Sequence, residues 1–156
     1  MNKLYGILEN FIEQKGISRL FVRCWDFMCV QELECAQNVE SQNCIAVLLL
    51  EDSNFIAPLL HQPLQLGFKE SNVVVALKLE GVCNAFRAEI LQIDEDNLFA
   101  QLTLQVKEAE NGVIYALCDL DFIKRNGLRV GDFVFWHIPE SEIMLFFDTE
   151  KMQPKD

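Results

Sequence analysis

Residues 98–106 read LFAQLTLQV and place an apolar side chain at every second position, from Leu98 to Val106. Successive side chains of a β-strand point to opposite faces of the sheet, so this alternation is typical of a strand with one face on a core. The residues between the apolar positions are expected to face away from that core. The stretch therefore predicts a half-buried β-strand.

The segments that follow this strand complete a small domain. Residues 120–126 predict a short helix, because Gly127 suits the left-handed conformation that often ends a helix. Gly131 and Asp132 indicate a turn before residues 133–136, FVFW, which are strand formers. Further apolar segments lie at 85–90, 113–117 and 141–145. This order predicts a strongly bent β-barrel of about five strands with one helical turn.

The same ordered set resembles a TOBE domain of the molybdate-binding (Mop) type. The matching segments are Asn84, AEILQI at 88–93, the strand at 98–106, IYALC at 114–118, GLRVGDFV at 127–134 and SEIML at 141–145. The order of the segments, rather than any one of them, carries the resemblance. It implies a mostly β fold built from OB-like TOBE barrels.

The first half of the chain looks like a second, divergent copy of this unit. Residues 2–8, NKLYGIL, lie opposite residues 84–90, NAFRAEI. The strand-like segments 17–25 and 45–50 then follow in the order of the clearer copy.

We therefore predict two small β-barrel units in tandem, each of about five strands with a short helix. The first, residues 1–80, is divergent and carries an insertion near 28–43, and the second spans residues 81–150. Such a pair resembles the di-Mop (ModG-like) proteins and the C-terminal half of the molybdate-responsive regulator ModE.

The resemblance implies a cytoplasmic protein that binds molybdate or tungstate for storage or homeostasis and has no catalytic activity. In the family the subunits associate, often as trimers, and the oxyanions lie at interfaces between domains. A homo-oligomer, with a trimer favoured, is therefore expected, as is a protein partner in molybdate transport or cofactor supply. The alternative is a TOBE-type regulatory or protein-interaction module that has lost oxyanion binding.

Five residues are candidates for binding the oxyanion because they match or adjoin the family's motifs. They are Lys78, Asn84, Ser141, Asn2 and Arg87. A tetrahedral dianion suits dispersed donors such as hydroxyls, Lys or Arg side chains and backbone N–H groups. The S-A-R-N start of the family reads GVCN at 81–84, which keeps only the Asn. The K-A-S/T motif reads KLE at 78–80 in the first unit and PES at 139–141 in the second.

These candidates also have ordinary structural interpretations. Asn84 can close a turn through its side chain, Lys78 can be a solvated strand end and Ser141 can cap the turn after Pro139. Acidic residues, Glu80 and Glu140, stand where the family usually has neutral ones, and a carboxylate near a dianion is repulsive. Both interpretations stay open from the sequence.

The charge of the chain excludes several other functions. Its formal net charge is −11, from 13 Lys and Arg against 24 Asp and Glu. Binding to nucleic acid or to an acidic membrane surface needs clustered basic residues, and no such cluster is present. No apolar run approaches the roughly 18 residues of a membrane span. Glu9 and Glu13 lie too close to the start for a signal peptide, so we expect a cytoplasmic protein.

Catalytic and metal signatures are also missing from the sequence. None of the six cysteines forms a Cys-x-x-Cys motif, and reduced scattered thiols are the expectation. We find no Ser/His/Asp set, no Cys/His pairing and no Gly-rich phosphate loop. The sequence predicts a protein that is not an enzyme, with no catalytic residues and no metal site.

Self-association is expected on separate grounds. The apolar segments 133–136 and 145–147 exceed what one small barrel can hide on one face. We therefore predict an oligomer whose interface includes Trp136, Phe146 and Phe147.

Overall fold

The computed structural model describes residues 1–24, 44–106 and 112–147 of the chain. The insertion predicted near 28–43 and residue Trp25 lie outside the described residues. Within the described ranges the chain forms ten strands and two short α-helices. The strands of the first half are β1 (Asn2–Gln14), β2 (Ile17–Cys24), β3 (Cys44–Leu49), β4 (Pro63–Phe68) and β5 (Val74–Ala76). Those of the second half are β6 (Ala85–Glu95), β7 (Phe99–Gln105), β8 (Val113–Asp119), β9 (Phe133–His137) and β10 (Met144–Phe146).

The strands form where apolar residues alternate, as the sequence predicts. In β7 the even-numbered residues Ala100, Leu102 and Leu104 are buried, and Val106 continues the pattern beyond the strand. Leu98 departs from it, being 70% exposed at the turn before β7. The inward side chains of the strands join one continuous apolar core that both sheets share.

The two short helices lie between the third and fourth strands of each half. α1 (Ser53–Ile56) begins after Asp52, whose carboxylate accepts hydrogen bonds from the first backbone N–H groups. α2 (Leu120–Arg125) begins in the same way after Asp119, and Gly127 follows it with φ +59°. The predicted short helix before Gly127 is confirmed.

The ten strands form two antiparallel five-stranded sheets that exchange their last strands. The first sheet has the order β10-β4-β1-β2-β3 and the second the order β5-β9-β6-β7-β8. β5 from the first half pairs with β9, and β10 from the second half pairs with β4. The predicted mostly β class with two OB-like units is confirmed, and each sequence half contributes its final strand to the sheet of the other.

Trp136 corrects one prediction about the surface. Its side chain is fully buried, with its ring centroid 6.1 Å from that of Phe68 and 4.9 Å from that of Phe86. Position 136 points inward because β9 alternates, with Val134 and Trp136 on the buried face, whereas Phe133 at the start of the strand is exposed. Trp136 is therefore a core residue and not an interface residue as predicted.

Candidate functional site

Asn84 joins the start of β6 to the edge of the first sheet. Its side-chain Nδ2 donates to the carbonyl of Ala46 at 2.8 Å and to that of Ile138 at 3.0 Å. Its Oδ1 accepts from the backbone N–H of Ala46 at 2.7 Å. The residue is 5% exposed and has φ +57°, a conformation that Asn tolerates better than most residues. Because a carboxamide has two N–H bonds, both of its donors are used inside the chain.

Asn2 occupies the matching position in the first half. Its Nδ2 donates to the carbonyl of Tyr115 at 2.8 Å, and its Oδ1 accepts from the N–H of Tyr115 at 2.7 Å. Tyr115 lies in β8, the edge strand of the second sheet, as Ala46 lies in β3, the edge strand of the first. Asn2 is 3% exposed and hydrogen-bonded to β8.

A cleft of about 360 Å³ opens beside Asn84 and brings together two of the predicted site residues. Its lining comprises Leu48, Val82, Cys83, Asn84, His137, Pro139, Glu140 and Ser141. The last three come from the segment that includes the 3₁₀ turn Glu140–Glu142, which packs against β3. Asn84 and Ser141 therefore line the same cleft.

Arg19 lies at the rim of this cleft, outside its lining, where it forms an ion pair with the lining residue Glu140. Its Nη2 lies 2.7 Å from Oε1 of Glu140, and the two side chains are 51% and 25% exposed. The hydrogen bond that Arg19 donates to Glu140 raises the pKa of Arg19, burial opposes this, and the negative charges of Glu140 and of the Cys83 thiolate add smaller raising effects. Arg19 is thus a permanent cation that neutralises the carboxylate in the cleft lining.

His137 contributes a further polar group to the lining. Its Nδ1 lies 2.8 Å from the backbone carbonyl of Cys83. A carbonyl oxygen only accepts, so Nδ1 carries the proton in this contact. The ring is thereby held in one orientation at the end of β9, next to the start of β6.

Lys78 and Arg87 lie elsewhere. Lys78 is 76% exposed in the segment after β5 and its Nζ lies 2.9 Å from Oε1 of Glu80. Arg87 places its guanidinium carbon 4.5 Å from the centroid of the Phe133 ring, on the outer face of the second sheet. Neither residue lines the cleft of Asn84 and Ser141.

The structure corrects the equivalence between residues 78–80 and 139–141. Residues 139–141 precede β10, whereas Lys78 follows β5, so the two positions do not correspond. The counterpart of the Glu140–Glu142 turn is the 3₁₀ turn Glu70–Asn72 before β5, which packs against β8. The counterparts of Pro139 and Ser141 are therefore Lys69 and Ser71.

Three residues that the structure places at or beside these turns were not among the sequence-derived candidates: Lys69, Ser71 and Arg19. Lys69 and Ser71 could have been found from the shared Glu-Ser pair, which precedes an apolar pair three residues later in both halves, FKESNVV and IPESEIM. Arg19 gives no such signal. Its approach to Glu140, 121 positions away, depends on how the two halves pack.

The described residues contain no group of three or more His, Cys, Asp or Glu side chains placed to hold a metal ion. None of the helices in the described ranges is long and apolar enough to cross a membrane.

Comparison with known proteins identifies a shared fold. No protein-family model matches the chain, and no curated protein matches it in sequence. Among solved structures it is similar to the cytoplasmic molybdate-binding protein ModG, in a crystal form with molybdate bound, with a TM-score of 0.74. The match covers 92% of this chain and 94% of that one at 13% sequence identity. The chain therefore shares the fold of that protein over 92% of its length.

Proposed function

We propose that this protein binds molybdate or tungstate as the intact oxyanion and stores or buffers it in the cytoplasm, without catalysing a reaction. The observation that carries the proposal is the shared fold, which extends over 92% of the chain and relates it to a protein described as cytoplasmic and molybdate-binding. Fold alone does not assign a ligand, so the chemistry of the cleft is the second part of the argument.

The cleft beside Asn84 offers the kinds of donor that a tetrahedral dianion needs. The Ser141 hydroxyl lines it, and the Arg19 guanidinium lies at its rim beside Glu140. The His137 ring lines it as well, but its Nδ1–H is directed to the carbonyl of Cys83. Asn84 would act by holding the cleft wall, since both of its N–H bonds are donated within the chain. An oxyanion arrives with its metal already wrapped in oxygen, so no protein metal ligands are required.

A second candidate function rests on Glu140. Its carboxylate lies in the cleft lining and would repel a dianion unless Arg19 compensates it. If the repulsion from Glu140 prevails, the protein would be a TOBE-type regulatory or protein-interaction module that has lost oxyanion binding. The two functions predict opposite outcomes in a direct binding measurement.

Native mass spectrometry with added molybdate, and with sulfate as the control anion, tests the proposal. We expect discrete molybdate-sized mass additions that sulfate does not give. The same spectra report the assembly state, for which a homo-oligomer, in particular a trimer, is part of the proposal. A protein that gains no mass at millimolar molybdate would instead support the interaction module.

A pair of variants then tests the cleft itself. Ser141→Ala removes a donor from the lining, whereas Lys78→Ala removes a sequence-predicted donor that lies outside it. If the cleft is the site, Ser141→Ala weakens molybdate binding by about tenfold and Lys78→Ala leaves it unchanged. The reverse result would place the oxyanion near the segment after β5.

A further inference from the structure

The cleft beside Asn84 has no arginine at the place where the sequence motif would put one. Position 83, which takes the place of the arginine in the S-A-R-N motif, is a cysteine, and its side chain lines the cleft. The guanidinium at the rim belongs instead to Arg19 of β2, in the other half of the sequence. The charge that the local motif lacks is thus provided through tertiary packing.

We propose that Arg19 is the residue that recognises the oxyanion in this cleft, and that Glu140 is an internal competitor which holds the guanidinium until the anion displaces it. This inference rests on the proposed oxyanion-binding function and adds the residue that confers affinity. It assigns a binding role to a residue outside the motif-derived set.

The position of Arg19 in the first sheet supports this role. Arg19 lies opposite Leu48 in the pairing of β2 with β3, and Leu48 lines the Asn84 cleft. Arg19 itself lines a neighbouring cleft of about 400 Å³ at the β1–β2 hairpin, and Leu48 lines both clefts. Arg19 therefore lies between two open spaces, which leaves its long side chain room to move between Glu140 and an anion.

The exposure of the ion pair makes such an exchange feasible. With 51% and 25% of the side chains exposed, Arg19 and Glu140 form an ion pair of the weak, solvent-screened kind. A tetrahedral oxyanion carries two charges and can accept two parallel N–H bonds from a guanidinium. A dianion in the cleft would therefore outcompete the single carboxylate, which is the relation expected between a ligand and an internal competitor.

Arg23 and Glu9 provide a matched control on the same sheet. Arg23 also lies in β2 and its Nη2 is 2.7 Å from Oε1 of Glu9, with side-chain exposures of 57% and 27%. The two pairs thus have the same Nη2–Oε1 distance and nearly the same exposure. The difference lies in the carboxylates: Glu140 lines the Asn84 cleft and Glu9 does not.

Isothermal titration calorimetry of the chain 1–156 with sodium molybdate tests the inference, using the unaltered protein and four variants. The variants are Arg19→Gln, Arg23→Gln, Glu140→Gln and Glu9→Gln. Arg19→Gln should weaken molybdate binding by about tenfold or more, because a charge-assisted hydrogen bond is lost. Glu140→Gln should strengthen it by about fivefold at low ionic strength, because a nearby like charge is removed. The Arg23 and Glu9 variants should bind as the unaltered protein does.

The possible outcomes separate this inference from the function on which it rests. If the unaltered protein does not bind molybdate, both fail. If it binds and Arg19→Gln behaves like Arg23→Gln, the inference is overturned while the proposed function stands. If Glu140→Gln weakens binding, Glu140 is not a competitor. Thermal melts of all four variants verify that a lost affinity is not a lost fold.

Discussion

Asn2 and Asn84 each bind one residue of an edge strand through the same pair of hydrogen bonds. Each side chain accepts from a backbone N–H at 2.7 Å and donates to the carbonyl of the same residue at 2.8 Å. The target is Tyr115 for Asn2 and Ala46 for Asn84. A carboxamide thus acts like a short piece of a neighbouring strand and satisfies backbone groups that an edge strand would otherwise leave unpaired.

Removing the Asn84 carboxamide is expected to destabilise the fold strongly. Asn84→Gly keeps the positive φ accessible but leaves the buried N–H and C=O of Ala46 and the carbonyl of Ile138 without this partner. We expect a loss of about 2–4 kcal/mol in the free energy of unfolding, measured by urea denaturation. Asn84→Ala should lose about 1 kcal/mol more, because a Cβ residue is strained at φ +57°.

Asn97→Ala serves as the control for this series, because Asn97 is exposed in the turn before β7. Its unfolding free energy should stay within about 0.5 kcal/mol of the unaltered protein. Asn2→Ala should destabilise the fold somewhat less than Asn84→Gly, since Asn2 makes the same pair of bonds to its edge strand but lacks the third bond that Asn84 makes to Ile138. A small effect at Asn84 would mean that water replaces the carboxamide at the sheet edge.

The exchanged strands predict that the first half does not fold alone. A fragment of residues 1–80 lacks β10, which pairs with β4, and its own β5 lacks the partner strand β9. We expect this fragment to show poorly dispersed amide signals in NMR spectra as a monomer. Adding a fragment of residues 81–156 should restore the dispersed spectrum.

Folding of the 1–80 fragment as a monomer would contradict this expectation, because it would mean that the first sheet is stable without β10. A dispersed spectrum together with a doubled mass would instead indicate that two copies exchange β5. Sedimentation velocity on the same sample distinguishes the monomer from the dimer.

The sequence predicts the local features of this fold better than its long-range pairings. The alternation in β7 and the stop at Gly127 are local signals, and both appear in the structure as predicted. β5 and β10 are three residues each, too short for any pattern to encode a partner. Their exchange follows from the packing of the whole chain. Trp136 was misplaced because a run of four apolar residues does not reveal which of them point inward.

In the candidate site, too, the residues marked by local motifs were predicted and those brought in by long-range packing were not. The family motifs identify Asn84 and Ser141, which lie in one cleft. Both N–H bonds of the Asn84 side chain, however, are donated to backbone carbonyls within the chain. Arg19 was not found, because its approach to Glu140 depends on the sheets being packed together. Lys69 and Ser71 were not identified because residues 78–80 were aligned with 139–141. The equivalent 3₁₀ turns show that residues 69–71 are the counterparts of 139–141.

Phe146 is the outward residue through which self-association is best tested. It is 43% exposed on β10, and its ring packs over Gly67, where an added Cβ would lie 2.8 Å from Phe146 Cε2. If this face is part of the oligomer interface, Phe146→Ser should shift the protein towards the monomer in sedimentation velocity. Its melting temperature at low protein concentration should change little.

Leu98→Ser is the matched control, since Leu98 is 70% exposed at the turn before β7. It should leave the sedimentation coefficient unchanged. A monomeric unaltered protein at micromolar concentration would refute the predicted oligomer, and an oligomer that persists in Phe146→Ser would place the interface on another face.

Cys118 is expected to react slowly with alkylating agents until the pH is high. Burial, together with the nearby charge of Asp119, raises the pKa of its thiol to about 11. The thiolate is the reactive form, so at pH 8.5 its fraction is on the order of a hundredfold below that of a thiol with an ordinary pKa. Iodoacetamide labelling followed by peptide mass spectrometry should therefore modify the exposed Cys83 first. The labelling rate of Cys118 should rise as the pH approaches 11, whereas in urea both thiols should react alike. Equal labelling of Cys83 and Cys118 in the folded protein at pH 8.5 would mean that the end of β8 opens to solvent.

The raised pKa of Cys118 also makes stability depend on pH. Because the folded state holds this proton more tightly than the unfolded chain, the free energy of unfolding should fall as the pH rises from about 9 through 11.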